Sequence, residues 1–209
     1  MSFWDTSWDK INADRLKEYI HSLDFTADNI IEYLHSRNVH SVCDAGCGCG
    51  AYTCKLAYHG FDVSGFDISA SAVAIAQKLL HTKSLQANLK VANILSTNYC
   101  ANCFDAVVSR DVLDHIRGKD GIAAIHELFR ITKPGGIVLI TLDHTDSEYE
   151  TEPHSINCDG DYLFTSGKWQ GMVFHPYKES EIIQAIPPNA ICEVVDSEAG
   201  ILVKLEKPL

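Results

Sequence analysis

Ser41-Val42-Cys43-Asp44-Ala45-Gly46-Cys47-Gly48-Cys49-Gly50 sets the architecture of this chain. An apolar run, Val39 to Cys43, ends in an acid, three glycines follow at alternate positions, and a helical stretch begins at Ala51. A strand, a tight glycine turn and a helix start in that order let backbone N–H groups approach a ligand closely. Glycine suits the turn because a Cβ would obstruct either the chain reversal or the ligand. One strand later, Phe61-Asp62-Val63-Ser64-Gly65-Phe66 ends in Asp67. An acid at the tip of a second strand is placed to accept from the two hydroxyls of a ribose. Together these features point to an adenosine-containing cofactor.

The glycine spacing alone admits two such cofactors. Gly46-x-Gly48-x-x-Ala51 fits a loose dinucleotide fingerprint. Asp44 argues against it, because an acid just before the turn would repel a pyrophosphate. About 40 residues precede the first strand, whereas dinucleotide domains often begin with it. Downstream lie Leu89-Lys90-Val91-Ala92-Asn93-Ile94, then Phe104-Asp105-Ala106-Val107-Val108-Ser109-Arg110-Asp111-Val112-Leu113-Asp114-His115-Ile116, then a helix closing in Lys133-Pro134-Gly135-Gly136. With Asp44, Gly46, Gly48, Gly50 and Asp67, this succession resembles the class I S-adenosylmethionine-dependent methyltransferases, strongly over Val39 to Leu142 and weakly elsewhere.

The resemblance implies a fold and a set of contacts. The expected fold is α/β: a Rossmann-like, doubly wound, seven-stranded and mostly parallel sheet with an antiparallel last strand, plus N-terminal helices. S-adenosylmethionine would be the cofactor. Asp44 would lie near its methionine ammonium, Gly46, Gly48 and Gly50 would bring backbone to it, and Asp67 would hold the ribose with Ile68 beside it. Asn93 and Ile94 would flank the adenine, Asn93 replacing the more frequent acid. Ser109 and Arg110 would lie near the methionine part.

Spacing along the chain agrees with alternating strands and helices. Two N-terminal helices are read between residues 11 and 36, the second starting near Thr26-Ala27-Asp28. Strands are expected at 39–43, 61–66, 89–92, 104–108 and 136–142, with helices at 51–58, from Ser69 to His81, and at 119–131. Residues 143–175 are polar and irregular, a length that calls for a function or for hairpins of its own. A helix at 178–186 precedes two runs, 191–195 and 200–206, which resemble the reversed seventh strand and its partner. The expectation is one domain over 1–209, with 1–38 as a helical lid and 143–177 as a substrate-side insertion.

Composition narrows the function. The 209 residues carry 46% hydrophobic content and a formal charge of -11. An acidic surface disfavours long nucleic acid, whose phosphates need Lys and Arg. No apolar run spans a bilayer and no secretion signal opens the chain, so a cytoplasmic protein acting on a small-molecule acceptor, as monomer or homodimer, is expected. Four of the eight cysteines crowd the glycine turn, which favours reduced thiols over disulfides. Cys100-Ala101-Asn102-Cys103 has the gap of a zinc pair but no second pair, so no metal is expected.

Methyl transfer needs a base only where the acceptor carries a proton that must leave. Ten histidines offer candidates, since free imidazole titrates near neutrality. His175 and Tyr177 rank first, because Met172-Val173-Phe174-His175-Pro176-Tyr177 resembles the stretch before the late helix in small-molecule and tellurite-resistance-type methyltransferases; His115 follows. His144 and His154 are further options. Trp4 and Trp8 are read either as a lid, Trp4 supplying cation–π attraction to a sulfonium, or as staples of the first helix. Three other functions remain open: a protein or RNA methyltransferase, a catalytically silent cofactor-binding partner subunit, and a nicotinamide oxidoreductase. Ser109-Arg110-Asp111-Val112 stands where amide and base-amine methyltransferases carry Asn-Pro-Pro-Tyr.

Overall fold

A computed structural model describes residues 3–10, 21, 23–145, 147–198 and 200–209. The elements that build the main sheet run in chain order as α1 (Phe3–Asp9), α2 (Asn29–Ser36), β1 (Ser41–Ala45), α3 (Ala51–Tyr58), β2 (Asp62–Asp67), α4 (Ala70–Thr82), β3 (Asn88–Val91), β4 (Phe104–Arg110), α5 (Gly118–Ile131) and β5 (Thr132–Leu142). An insertion follows with α6 (Ser147–Thr151), β6 (His154–Ile156), β7 (Tyr162–Phe164) and β8 (Val173–Phe174); α7 (Glu179–Ala185), β9 (Ile191–Ser197) and β10 (Gly200–Glu206) close the chain.

Seven strands form one sheet in the order β3-β2-β1-β4-β5-β10-β9. β1 pairs in parallel with β2 and β4, and β10 runs antiparallel to both β5 and β9. The central strands are apolar at consecutive positions because both faces are covered. Cys43, Val107, Val138 and Ile140 pack under α5 and α7, while their neighbours Val42, Ala106, Val108, Ile137 and Leu139 pack under α2 and α3. The period of two along each strand thus feeds two separate cores.

Local capping fixes the helix starts. Asp28 caps α2 through its bond from Ile31 N–H (3.0 Å), and Ser69 caps α4 through Ala72 N–H (3.2 Å). Both lie where the sequence predicts them. The first expected helix, residues 11–23, falls mostly outside the described residues. β5 starts four residues earlier than expected, since Lys133-Pro134-Gly135-Gly136 is carried as an irregularity between the Phe104–Thr132 and Ala106–Ile137 pairs.

The insertion has hairpins of its own: β6, β7 and β8 form a small antiparallel sheet. Its core is aromatic, with Tyr149, Phe164, Met172 and Phe174 buried and Phe3 and Trp4 of α1 packed against them. The chain's N-terminal helix therefore rests on the insertion and on α4, where Ser71 Oγ donates to Asp9. No described helix is long and apolar enough to cross a membrane.

Candidate active site

The strand order reverses direction between β1 and β4, and ligands of open α/β sheets bind at the carboxyl ends of strands around such a switch. A cavity of about 420 Å³ lies there. The tips of β1, β2, β3 and β4 build its floor through Asp44, Asp67, Asn93 and Arg110, and Trp4 and Trp8 of α1 close one side.

The glycine turn is held by two bonds to one acceptor: Gly46 N–H and Cys47 N–H both donate to Phe66 O, at 2.8 and 2.9 Å. Gly46 has φ +78°, and a Cβ there would collide with Val112. Gly48 has φ +51° and faces the cavity, its nearest side-chain neighbour being the Trp8 ring. Gly50 has φ +84°, and a Cβ on it would stand 2.6 Å from that of Ala76. It does not line the cavity; it lets α3 and α4 approach.

Asp67 is fixed before any ligand arrives. Its Oδ2 accepts from Gly48 N–H (2.9 Å) and its Oδ1 from Ser69 N–H (2.8 Å). Each carboxylate oxygen keeps a lone pair for a hydroxyl. Burial nevertheless raises its pKa, the two backbone N–H bonds opposing the rise. Asp44 is 2% exposed, and the hydroxyl of Thr53 donates to its Oδ2 at 2.6 Å. Burial pushes its carboxyl up to about 6, against the pull of the Thr53 bond and the Arg110 charge. A buried carboxylate beside a cavity is a socket for a cation. Arg110 lies over the Tyr52 ring, 4.3 Å from its centroid, and Tyr52 Oη donates to Asp28 (3.1 Å).

Of the expected cofactor residues, the structure brings Asp44, Gly46, Gly48, Asp67, Ile68, Asn93, Ile94, Arg110 and Trp4 to the cavity, and it leaves Gly50 and Ser109 outside it. Ser109 is fully buried and its hydroxyl has no hydrogen-bond partner. His115 reaches the cavity from the turn after β4, its ring centroid 5.0 Å from that of Trp4.

His175 and Tyr177, the first choices for a base, stand elsewhere. His175 is 4% exposed, its Nδ1 lies 2.9 Å from Asp161 Oδ1, and its ring occupies the space a side chain on Gly118 would need. Tyr177 packs against Gly121, with its hydroxyl buried and without a hydrogen-bond partner. Burial first, then the nearby acids, raise that hydroxyl above the ordinary phenol range. The reason for both placements is Asp161. It is buried and accepts from Gly118 N–H (2.8 Å) at the start of α5 and from Asn157 Nδ2 (2.8 Å), so His175 completes a clamp rather than a reaction site. His144 bonds to Ser197 O and His154 stacks on Tyr162, neither at the cavity.

The clamp reaches His115 indirectly. His175 N–H donates to Asp114 O (2.7 Å), and His115 Nδ1 lies 3.4 Å from Val173 O. Asp114, His115 and Asp143 hold ligand atoms within 4.8 Å of one another, a group with the donor types for a divalent cation. Sequence reading missed Tyr52, Asp111, Val112 and Ile116, which also line the cavity. Tyr52 is marked only by its place in the first helical turn after the glycines, and Asp111 only by lying one residue past a strand tip.

A family model described as a methyltransferase domain matches residues 43–140. That match, just under half of the chain, together with the fold supports a class I S-adenosylmethionine-dependent methyltransferase. This methyltransferase is 32% identical over 117 residues to phosphoethanolamine N-methyltransferase 1 of Triticum aestivum, a match covering 56% of this chain and 23% of that one. It is 28% identical over 126 residues to a ubiquinone biosynthesis O-methyltransferase of Alkalilimnicola ehrlichii, covering 58% and 49%. The aligned stretch therefore spans about a quarter to a half of these relatives. A solved S-adenosylmethionine-dependent methyltransferase from Methanosarcina mazei superimposes with a TM-score of 0.69 at 20% identity, over 88% of this chain and 99% of that one.

S-adenosylmethionine is the cofactor of this family, and the site fits it. The pinned carboxylate of Asp67 suits a ribose diol, the buried carboxyl of Asp44 suits an ammonium, and the open backbone at Gly48 leaves room between them.

Proposed function

We propose that this methyltransferase moves a methyl group to a small-molecule acceptor held between α1 and the turn after β4. One observation carries the reading: the cofactor residues Asp44 and Asp67 share a single cavity with an imidazole, His115, and an indole, Trp4. When bound, S-adenosylmethionine supplies an electrophilic methyl; the acceptor's lone pair forms the new bond to carbon, and the C–S electron pair stays on sulfur.

The chain's own residues orient and deprotonate. Trp4 and Trp8 cover the cavity from α1 and restrict water. Val173 O can only accept a hydrogen bond, so the His115 proton belongs on Nδ1 and its Nε2 keeps a lone pair. Nε2 is then the base for an acceptor that must lose a proton. His175 and Tyr177 act behind it, through the clamp on Asp161 and Asp114. One curated relative is named for a small acceptor, phosphoethanolamine, and the other for the biosynthesis of a small molecule, ubiquinone, which supports the acceptor class.

The test uses methyl-labelled S-adenosylmethionine with a cell extract divided into small-molecule, protein and RNA fractions. Label should appear in the small-molecule fraction. His115→Gln should lower that incorporation at least 100-fold while cofactor affinity stays within threefold. Label confined to protein or RNA would refute the acceptor class, and full incorporation by His115→Gln would remove the base.

A further inference from the structure

The acceptor end of the cavity carries a charge pattern that discriminates among small molecules; this inference rests on the methyl-transfer reading above. Asp111 lines the cavity and is exposed, yet its backbone sits at φ +54°. Aspartate tolerates that left-handed region better than most residues, but the conformation still needs support. Thr141 provides it: Asp111 N–H donates to Thr141 O and Oγ1, both at 3.1 Å, and the Thr141 hydroxyl donates to Asp111 Oδ1 at 2.5 Å. The effect of this triple hold is to keep a carboxylate at the cavity rim.

Cations are scarce there. Among the described residues that line the cavity, Arg110 alone carries a positive charge, against Asp44, Asp67 and Asp111. Arg110 lies over Tyr52, and its charge acts on Asp44, at the cofactor end. Behind His115, Asp114 is fully buried with Oδ1 lacking a hydrogen-bond partner; burial first raises its carboxyl, the His115 charge and the Asp143 N–H oppose the rise, and the Asp143 and Asp111 charges add to it. A phosphate or carboxylate on the acceptor would meet acids with no second arginine or lysine to offset them. Trp4 adds a π face next to His115, the surface on which a desolvated cation gains attraction.

We propose that the acceptor is an amine, bound as its ammonium between the Trp4 ring and the Asp111 carboxylate. The ammonium must lose one proton before its nitrogen has a lone pair. His115 Nε2 takes that proton and passes it to water at the cavity mouth.

The probe is tetramethylammonium, compared with its neutral and anionic isosteres tert-butanol and pivalate, each titrated calorimetrically into protein saturated with S-adenosylhomocysteine. Tetramethylammonium should bind at least tenfold more tightly than either isostere. Asp111→Asn, which keeps the side-chain shape and the tolerance for a left-handed backbone, should weaken it at least fivefold and leave S-adenosylhomocysteine affinity within threefold. Equal or tighter binding of pivalate or tert-butanol overturns the proposal, as does an Asp111→Asn protein with unchanged ammonium affinity. Displacement of tetramethylammonium by magnesium chloride also overturns it, because the acids then serve a metal ion. Failure of S-adenosylhomocysteine to bind is a different result: it removes the methyl-transfer reading itself.

Discussion

Asp44→Asn should make the ligand-free protein more stable and nearly unable to bind its cofactor. The carboxyl is fully buried and titrates at about 6 instead of 3.8, mainly because burial disfavours its charge. That displacement corresponds to roughly 3 kcal/mol at ~1.4 kcal/mol per tenfold change. The folded pKa lies above the unfolded one, so the folded state binds the extra proton between these values. The penalty on stability is therefore complete above about pH 6, shrinks as pH falls toward 3.8, and is absent below it. Asparagine has the same shape, keeps an acceptor for the Thr53 hydroxyl and carries no charge. Part of the gain is offset by the weaker neutral hydrogen bond, leaving about 1–2 kcal/mol at pH 8. For a chain of this length that raises the melting temperature by about 3–6 °C.

Cofactor binding moves the other way. Removing one partner of a buried ion pair costs about 3 kcal/mol or more, which is at least 100-fold in affinity. Wild-type affinity should also fall below pH 6, approaching tenfold per unit as Asp44 protonates, whereas the variant should show a flat profile over the same range. Melting curves from pH 4 to 8.5, with and without S-adenosylmethionine, read both effects. A variant that melts lower than wild type at pH 8, yet keeps cofactor affinity, would refute the assignment of Asp44 as an ammonium socket.

Two glycine substitutions should separate stability from binding. Gly50→Ala places a methyl 2.6 Å from Ala76 at φ +84°, and should cost about 2–4 kcal/mol in urea unfolding without reducing the cofactor affinity of the folded fraction. Gly48→Ala meets only the Trp8 ring, at 3.4 Å, and should weaken cofactor binding at least tenfold, with strain at φ +51° lowering stability less than in Gly50→Ala. His175→Ala removes one of the three side-chain and backbone partners of the buried Asp161 and opens a void against Gly118, so denaturant titration should show a loss of about 2–4 kcal/mol, with cofactor affinity kept. A loss of cofactor affinity equal to that of Gly48→Ala would place His175 at the cavity after all.

That the glycine turn and the strand-tip acids gather at one cavity was legible because their signals are local. A glycine turn, an acid at each of two strand tips and Asn93 after β3 lie within residues 44–93, and parallel pairing of β1, β2 and β3 brings them together. The acceptor half depends on contacts that no short window contains. His175 follows a two-residue strand, and which way its ring faces follows from Asp161, 14 residues upstream, and from α5, more than 40 residues away. Gly118 and Gly121 are the hidden complement: their missing side chains make room for His175 and Tyr177. Asp111 lies in the loop after β4, but its placement at the cavity rests on a left-handed backbone angle and on Thr141, a partner 30 residues on. Trp4 and Trp8 read equally as a lid or as staples of a helix; what their spacing does not reveal is that the aromatic core of the insertion supports α1.

The most direct test of the central claim is calorimetric titration of the protein with S-adenosylhomocysteine, alongside NAD and an Asp67→Ala variant. The account predicts one molecule bound per chain, no binding of NAD, and a loss of at least 100-fold in Asp67→Ala, whose carboxylate is pinned by Gly48 and Ser69 N–H groups for a ribose. Binding of NAD without S-adenosylhomocysteine, or S-adenosylhomocysteine affinity indifferent to Asp67, would contradict it.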